Sequence, residues 1–246
     1  MKLSFVAPFH FKLLAVVSVL FLGACAGPNS NRTSVLSQIS VGEKMLSYGD
    51  YDKAYALLDK VAENNPSSSV TALGLGEAYF RQQVLLKASA YYGKAIELGA
   101  RKEGKLGLAR VELARNNPSE AKALLREVLR MEPQNPDALN AMGVVLDLEG
   151  DHERAQQLYK SVLARTPWNR EALNNLSLSL TLDGNAREAY PFIAELSRSN
   201  QNDAVIRQNL AVIQYLAGDR GRAMRTAVLD LTEDEARENF AQISRQ

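Results

Sequence analysis

Apolar residues recur at intervals of three and four along most of the chain. Between residues 137 and 163 the pattern is clearest. Leu139, Met142, Val145 and Leu146 share one helical face, and Leu158, Val162 and Leu163 share another. The spacing predicts two amphipathic helices joined by a tight turn. Gly150 falls at the break, where a left-handed residue ends a helix at little steric cost. Asp151 follows as an N-cap, with Arg154 three residues on. Pro167 ends the second helix, because the residue before a proline avoids the helical conformation.

The pattern then returns. "DALNAMGVVLDLEGDHERA" (137–155) aligns without a gap on "EALNNLSLSLTLDGNAREA" (171–189), 34 residues later. "AVIRQNLAVIQYLAGDRGRA" (204–223) is a third copy, and "VGEKMLSYGDYDKA" (41–54) ends the same way. Ala54, Ala88, Ala121, Ala155, Ala189 and Ala223 are spaced 34, 33, 34, 34 and 34. Gly49, Gly150, Gly184 and Gly218 each lie five residues before one of them, and Pro66, Pro133 and Pro167 each lie twelve after. Twelve before stand Gly42, Gly76, Ala109, Gly143, Ser177 and Ala211, small enough for close helix approach. Gln83 and Asn116 occupy the turn position in the second and third copies. A fixed period of this length marks an array of repeats, here over residues 35–230. The stretch 231–246, "LTEDEARENFAQISRQ", opens with Thr232 and Glu235 in a capping-box pattern. It predicts a final helix whose Ala236, Phe240 and Ile243 cover the last repeat.

This register resembles the tetratricopeptide repeat family. The resemblance implies an all-α fold, a helical solenoid of about six helix pairs plus a C-terminal capping helix. It also implies a partner-binding groove lined by the first helix of each pair. Carried onto this chain, the groove takes Val70, Leu73, Phe80, Leu106, Asn140, Val144, Leu148, Asn174, Leu178, Leu182, Gln208, Val212 and Tyr215. Such a surface, mostly apolar with a few amides, suits an amphipathic helix or extended segment of a protein partner. The alternative for each residue is packing against a neighbouring repeat or the capping helix. Trp168, the sole tryptophan, sits in an inter-repeat turn and is read as junction packing.

The first 24 residues depart from the repeat pattern. Lys2 and Lys12 precede "LLAVVSVLFL" (13–22), an apolar run too short to span a bilayer but suited to a secretory signal peptide. Leu22-Gly23-Ala24-Cys25 resembles the lipobox of bacterial lipoproteins. That resemblance implies cleavage before Cys25, acylation of its thiol and anchoring by three acyl chains. Ala26, in place of the aspartate that retains such proteins at the inner membrane, implies the outer membrane, facing the periplasm. Residues 25–34 are then the lipidated cysteine and a polar tether.

Composition narrows the chemistry. Lys plus Arg total 29 and Asp plus Glu 28, a net charge of +1, so no electrostatic footprint for nucleic acid is present. Cys25 is the only cysteine, and His10 and His152 are the only histidines. His152 beside the Gly150 turn reads as a solvated turn residue. Glu233-Asp234-Glu235 reads as the favourable first turn of a helix. No phosphate loop or Ser-His-Asp arrangement stands out. The expectation is a non-enzyme without cofactor, metal or small-molecule substrate.

The stretch "RQNLAVIQYLAGDRGRAMRTAVLDLTEDEARENFAQI" (207–243) is similar to the TadD family, lipoproteins of tight-adherence (Flp) pilus assembly. Asn209-Leu210-Ala211, the Gly218 turn and "DLTEDEARENFA" (230–241) carry that resemblance. It implies a pilotin-like scaffold whose partner is a secretin subunit of the pilus. Two alternatives use the same features: a pilotin of a type IV pilus or other secretin system, and an envelope adaptor docking peptidoglycan hydrolases or proteases.

Overall fold

The computed structural model describes residues 30–200 and 202–244. The expected signal peptide, Cys25 and residues 26–29 lie outside them. Among the described residues the chain forms thirteen α-helices and no strand. They are α1 (Ser30–Ser47), α2 (Tyr51–Asn64), α3 (Ser69–Arg81), α4 (Leu85–Glu97), α5 (Arg101–Ala114), α6 (Pro118–Met131) and α7 (Pro136–Leu148). There follow α8 (His152–Arg165), α9 (Arg170–Leu182), α10 (Ala186–Ser199), α11 (Ala204–Leu216), α12 (Arg220–Ala227) and α13 (Glu233–Ile243). The odd-numbered helices α1 to α11 are thus the first helices of six pairs. Because α1 begins at Ser30, residues 30–34 of the segment read as a tether are helical. The Gln38 amide donates to the Ser34 hydroxyl one turn away, and Val35 is the first buried apolar residue.

Polar caps start several first helices where the repeat register demands them. Ser68, Asn135, Asn169 and Asp203 each accept a backbone N–H three residues ahead, which satisfies a donor the helix cannot. Asp151 does the same for α8, and Thr232 with Glu235 forms a full capping box on α13.

The chain divides into two compact units, residues 30–141 and 142–244, with the boundary inside α7. The N-terminal unit is centred on Leu58, Leu75, Tyr79, Tyr92 and Val111. Its tightest feature is the Tyr92 ring of α4. An added Cβ at Gly76 of α3 would lie 2.8 Å from it, and one at Gly107 of α5 only 2.4 Å. The ring is clamped between two helices that meet it backbone-first. Small residues here are a steric requirement of close packing.

The C-terminal unit repeats the device once. Tyr159 of α8 packs on Gly143 of α7, where a Cβ would come within 2.5 Å of the ring. Leu176, Leu180, Ile193 and Ile213 fill its centre. Phe240 of α13 stacks on Tyr215 of α11 with ring centroids 4.5 Å apart, above Ala211, Ala223, Ala227 and Ala236.

The turns within pairs keep one geometry whatever the residue. Gly49, Gly150, Gly184 and Gly218 have φ between +81° and +97°. Gln83 and Asn116 adopt φ of +59° and +61° at the equivalent sites. Asparagine tolerates this region, but for glutamine a Cβ crowds the carbonyl at a cost of about 1 kcal/mol. Gln83→Gly is therefore expected to raise stability by about 0.5 kcal/mol at most, since glycine's larger unfolded-state entropy takes back much of the relief. Urea denaturation followed by circular dichroism measures it. A loss of stability would show that Gln83 carries no strain.

Candidate functional site

The candidate surface is the face of the first helices. Counting back eleven residues from each repeat alanine gives one position per helix, and counting back seven gives its neighbour a turn later. In the C-terminal unit these positions carry Val144, Leu178 and Val212, then Leu148, Leu182 and Leu216. Leu148 and Leu216 are about half exposed, at 53% and 46%. Val144, Leu178, Leu182 and Val212 are half-buried. Beside them the Asn209 amide donates to the Asn174 carbonyl oxygen at 2.8 Å. The result is an apolar stripe edged by amides.

The other groove residues of this unit are partly committed inside the fold. The Gln208 amide donates to the Ala227 carbonyl and to Asp230. The Tyr215 ring is taken by Phe240, and the Arg220 guanidinium lies 5.4 Å from its centroid. Arg170 pairs with Asp203, and Arg207 pairs with Asp230 in a doubly bonded fork that fixes the end of α12 against α11.

In the N-terminal unit the same two positions carry Glu43, Glu77 and Arg110, then Ser47, Arg81 and Ala114. Here the face is a charge ladder. Arg81 reaches Glu43 at 3.3 Å and Glu77 at 3.0 Å, and Arg110 Nη1 donates to Glu77 at 2.8 Å. The Tyr92 hydroxyl donates to Glu77 at 2.9 Å. Burial raises the Glu77 pKa, but Arg110, Arg81 and the Tyr92 hydroxyl outweigh it and hold the carboxyl below its usual value. The Arg110 guanidinium lies over the Phe80 ring, 4.4 Å from its centroid, a cation–π contact. Phe80 is buried, so its ring belongs to this packing. Val70, Leu73, Leu106 and Asn140 are half-buried, and Leu73 packs on the N-terminal core.

A second polar hub lies at the start of the C-terminal unit. The Asp147 carboxylate of α7 is met by His152 Nδ1 at 2.8 Å, the Tyr159 hydroxyl at 2.8 Å and the Ser179 hydroxyl at 2.6 Å. Burial raises the Asp147 pKa, while these hydrogen bonds pull it down without reversing the shift. His152 is therefore not a solvated turn residue. The helix C-terminus places Asp147 five residues before it, and the turn folds the imidazole back onto the carboxylate. Trp168 is 73% exposed in its turn, so it does not fill a repeat junction as expected.

The residues missed in the sequence are Glu77, Arg81, Arg110 and Asp147. A signal for Glu77 and Arg110 was present. A charge occupies the position eleven before Ala88 and Ala121, where the later copies carry valine or leucine. Among the described residues no group of His, Cys, Asp or Glu is placed to hold a metal ion. No described helix is long and apolar enough to cross a membrane.

Known proteins place this geometry. The tetratricopeptide repeat family is matched over residues 106–167 and again over 148–213. A chain of the APC/C Cut9–Hcn1 hetero-tetramer superposes with a TM-score of 0.67 at 18% identity, covering 78% of this chain. This chain spans only 38% of that one. PilW, a type IV pilus biogenesis factor, gives 0.62 at 19% identity, covering 78% of this chain and 90% of PilW. PilF of Pseudomonas aeruginosa gives 0.58 at 16% identity, with 81% and 91% covered. No curated protein matches the sequence. Residues 106–213 match tetratricopeptide repeats, and the described residues have the all-α solenoid fold class of such repeats. Folds of this type serve as scaffolds for protein–protein interaction.

Proposed function

We propose that this chain is a non-enzymatic scaffold, lipid-anchored through Cys25 at the periplasmic face of a bacterial outer membrane. It binds a secretin subunit of a tight-adherence (Flp) pilus and acts like a pilotin during secretin assembly. The observation that carries this reading is the Leu22–Cys25 lipobox-like sequence directly ahead of a repeat array that presents side-chain surface on its first helices. The C-terminal stretch similar to the TadD family supports the pilus assignment. More than one acyl chain gives a stable anchor, because each buried CH2 contributes about 0.8 kcal/mol. A second reading, pilotin of a type IV pilus, draws on PilW and PilF, whose likeness to this chain is one of fold.

Mass spectrometry of the mature N-terminus is expected to find an acylated Cys25. Cys25→Ser is expected to move the protein from the membrane fraction to the soluble periplasmic fraction and to abolish piliation. Membrane retention and intact pili in that variant would reject the anchor. Detergent co-purification separates the partners: a secretin supports the proposal, and a peptidoglycan hydrolase replaces it with the adaptor reading.

A further inference from the structure

The sixth pair breaks the repeat in one respect. The second helices α2, α4, α6, α8 and α10 each run thirteen or fourteen residues. The corresponding helix α12 runs eight and stops at Ala227. At a rise of about 1.5 Å per residue, nearly two turns of helix are missing. A cleft of about 750 Å³ lies beside that end, inside the C-terminal unit. Pro191, Ala194 and Arg198 of α10, Arg207 and Leu210 of α11, and Leu229 just past α12 line it. Arg207 and Leu210 stand five and two residues before Val212. At about 100° per residue, that is the side of α11 turned away from Val212 and Leu216. The cleft is therefore separate from the first-helix face.

The preceding pair shows what fills this place elsewhere in the array. Leu176, 34 residues before Leu210, is fully buried in one cluster with Ile193 and Leu196. Those two stand four and seven residues after Ala189. Four and seven residues after Ala223 stand Ala227 and Asp230. Ala227 is the last residue of its helix, and Asp230 is committed to Arg207. Leu210 is accordingly only half-buried, and Leu229 in the same cleft is 68% exposed. The last pair lacks two aliphatic side chains that the pair before it supplies to itself.

Charge adds a second constraint. The lining includes two arginines and no acid. Glu195 pairs with Arg198, and Asp230 with Arg207. With its N-cap, α12 then adds Arg220, Arg222 and Arg225 against Asp219 alone. Arg222 donates to the hydroxyl of Tyr190 at 2.8 Å, which brings that charge to the edge of the cleft. The border is net positive, so the complementary occupant is acidic.

We propose that this cleft docks a helical segment of a protein partner that carries two aliphatic side chains three residues apart and acidic residues on its flanks. The aliphatic pair takes the places that Ile193 and Leu196 fill one repeat earlier. The inference rests on the reading of the repeats as a protein-binding scaffold, and it requires neither the anchor nor a secretin.

The probe is a hydrocarbon-stapled peptide of about twelve residues, because unstapled helices this short are marginal in water. It carries isoleucine and leucine three apart, with glutamates on both flanks. Titrated at low salt into the purified, 15N-labelled protein, it is expected to shift the Ala194 and Leu229 amides saturably. Leu229→Glu removes an apolar wall and adds a like charge, and should weaken binding roughly tenfold or more. Leu229 is exposed, so this variant keeps the fold, which circular dichroism checks. Ala194→Trp fills the cleft and should weaken binding as much. Leu148→Ser, on the first-helix face, should leave the affinity unchanged. A peptide with serine for both aliphatic residues should not saturate, and one with lysine for the glutamates should bind roughly tenfold more weakly. No saturable shift would overturn the proposal. So would binding that is lost in Leu148→Ser and kept in Leu229→Glu, since the first-helix face would then be the site. Failure of the anchor or of secretin co-purification leaves this titration untouched, so the two ideas fall separately.

Discussion

Glu77→Ala is expected to cost about 3 kcal/mol of stability, the low end of the range for breaking a buried ion pair because part of each partner is exposed. The substitution does more than remove a carboxylate. It leaves Arg110 with no acceptor on Nη1, where Nε and Nη2 already lack one. It strands the Tyr92 hydroxyl and sets Arg81 and Arg110 against each other without the charge between them. The melting temperature should fall by roughly 6 to 12 °C for a chain of this size.

The loss depends on pH in a defined direction. The folded-state pKa of Glu77 is lowered from its usual 4.5. Its ionisation therefore stabilises the fold fully above that usual value. The contribution drains away as pH falls from 4.5 through the lowered folded-state value. Glu77→Gln keeps the shape and removes the titration. The stability difference between wild type and Glu77→Gln should be constant near neutral pH and shrink below 4.5. A difference that stays flat into acid would show that Glu77 acts by shape alone.

Gly107→Ala is the second large effect. In an unobstructed helix this change stabilises by about 1 kcal/mol. Here the new methyl would lie 2.4 Å from two carbons of the Tyr92 ring. The ring has little room to shift, because Gly76 also closes on its Cδ1–Cε1 bond at a Cβ distance of 2.8 Å and Glu77 holds its hydroxyl. Overpacking of this kind costs about 1 to 3 kcal/mol and exceeds the propensity gain when the neighbour is pinned. A net loss of about 2 kcal/mol is expected from urea denaturation. Gly93→Ala is the matched control: it lies in α4 with no atom within 4 Å of the new methyl. It should gain the propensity term alone. Equal behaviour of the two variants would refute the clamp.

The repeat period was legible because it is written in residue size and polarity. A small residue every 33 or 34 positions and a turn residue at fixed distance before each alanine located six helix pairs, and the helices follow that register. The Thr232–Glu235 box was legible for the same reason, being a local pattern. The ladder was not. Glu77 and Arg110 are 33 residues apart, and nothing local to either indicates that stacking brings them within hydrogen-bonding distance. Gly107 was hidden differently. The size register points to Ala109 in the third repeat, yet the residue that meets the Tyr92 ring lies two positions earlier. His152 was misread because composition counts metal partners, whereas a carboxylate five residues back was enough to engage its ring.

The Asp147 hub has a consequence for how the C-terminal unit comes apart. One carboxylate, on α7, meets two residues of α8 and one of α9. Repeat arrays open as a series of nearly independent neighbours. A shared acceptor removes that independence locally, since releasing any one of the three helices leaves the others' donors poorly matched in a largely buried site. Local opening of α8 is thus tied to opening of α9. These helices behave as one cooperative block.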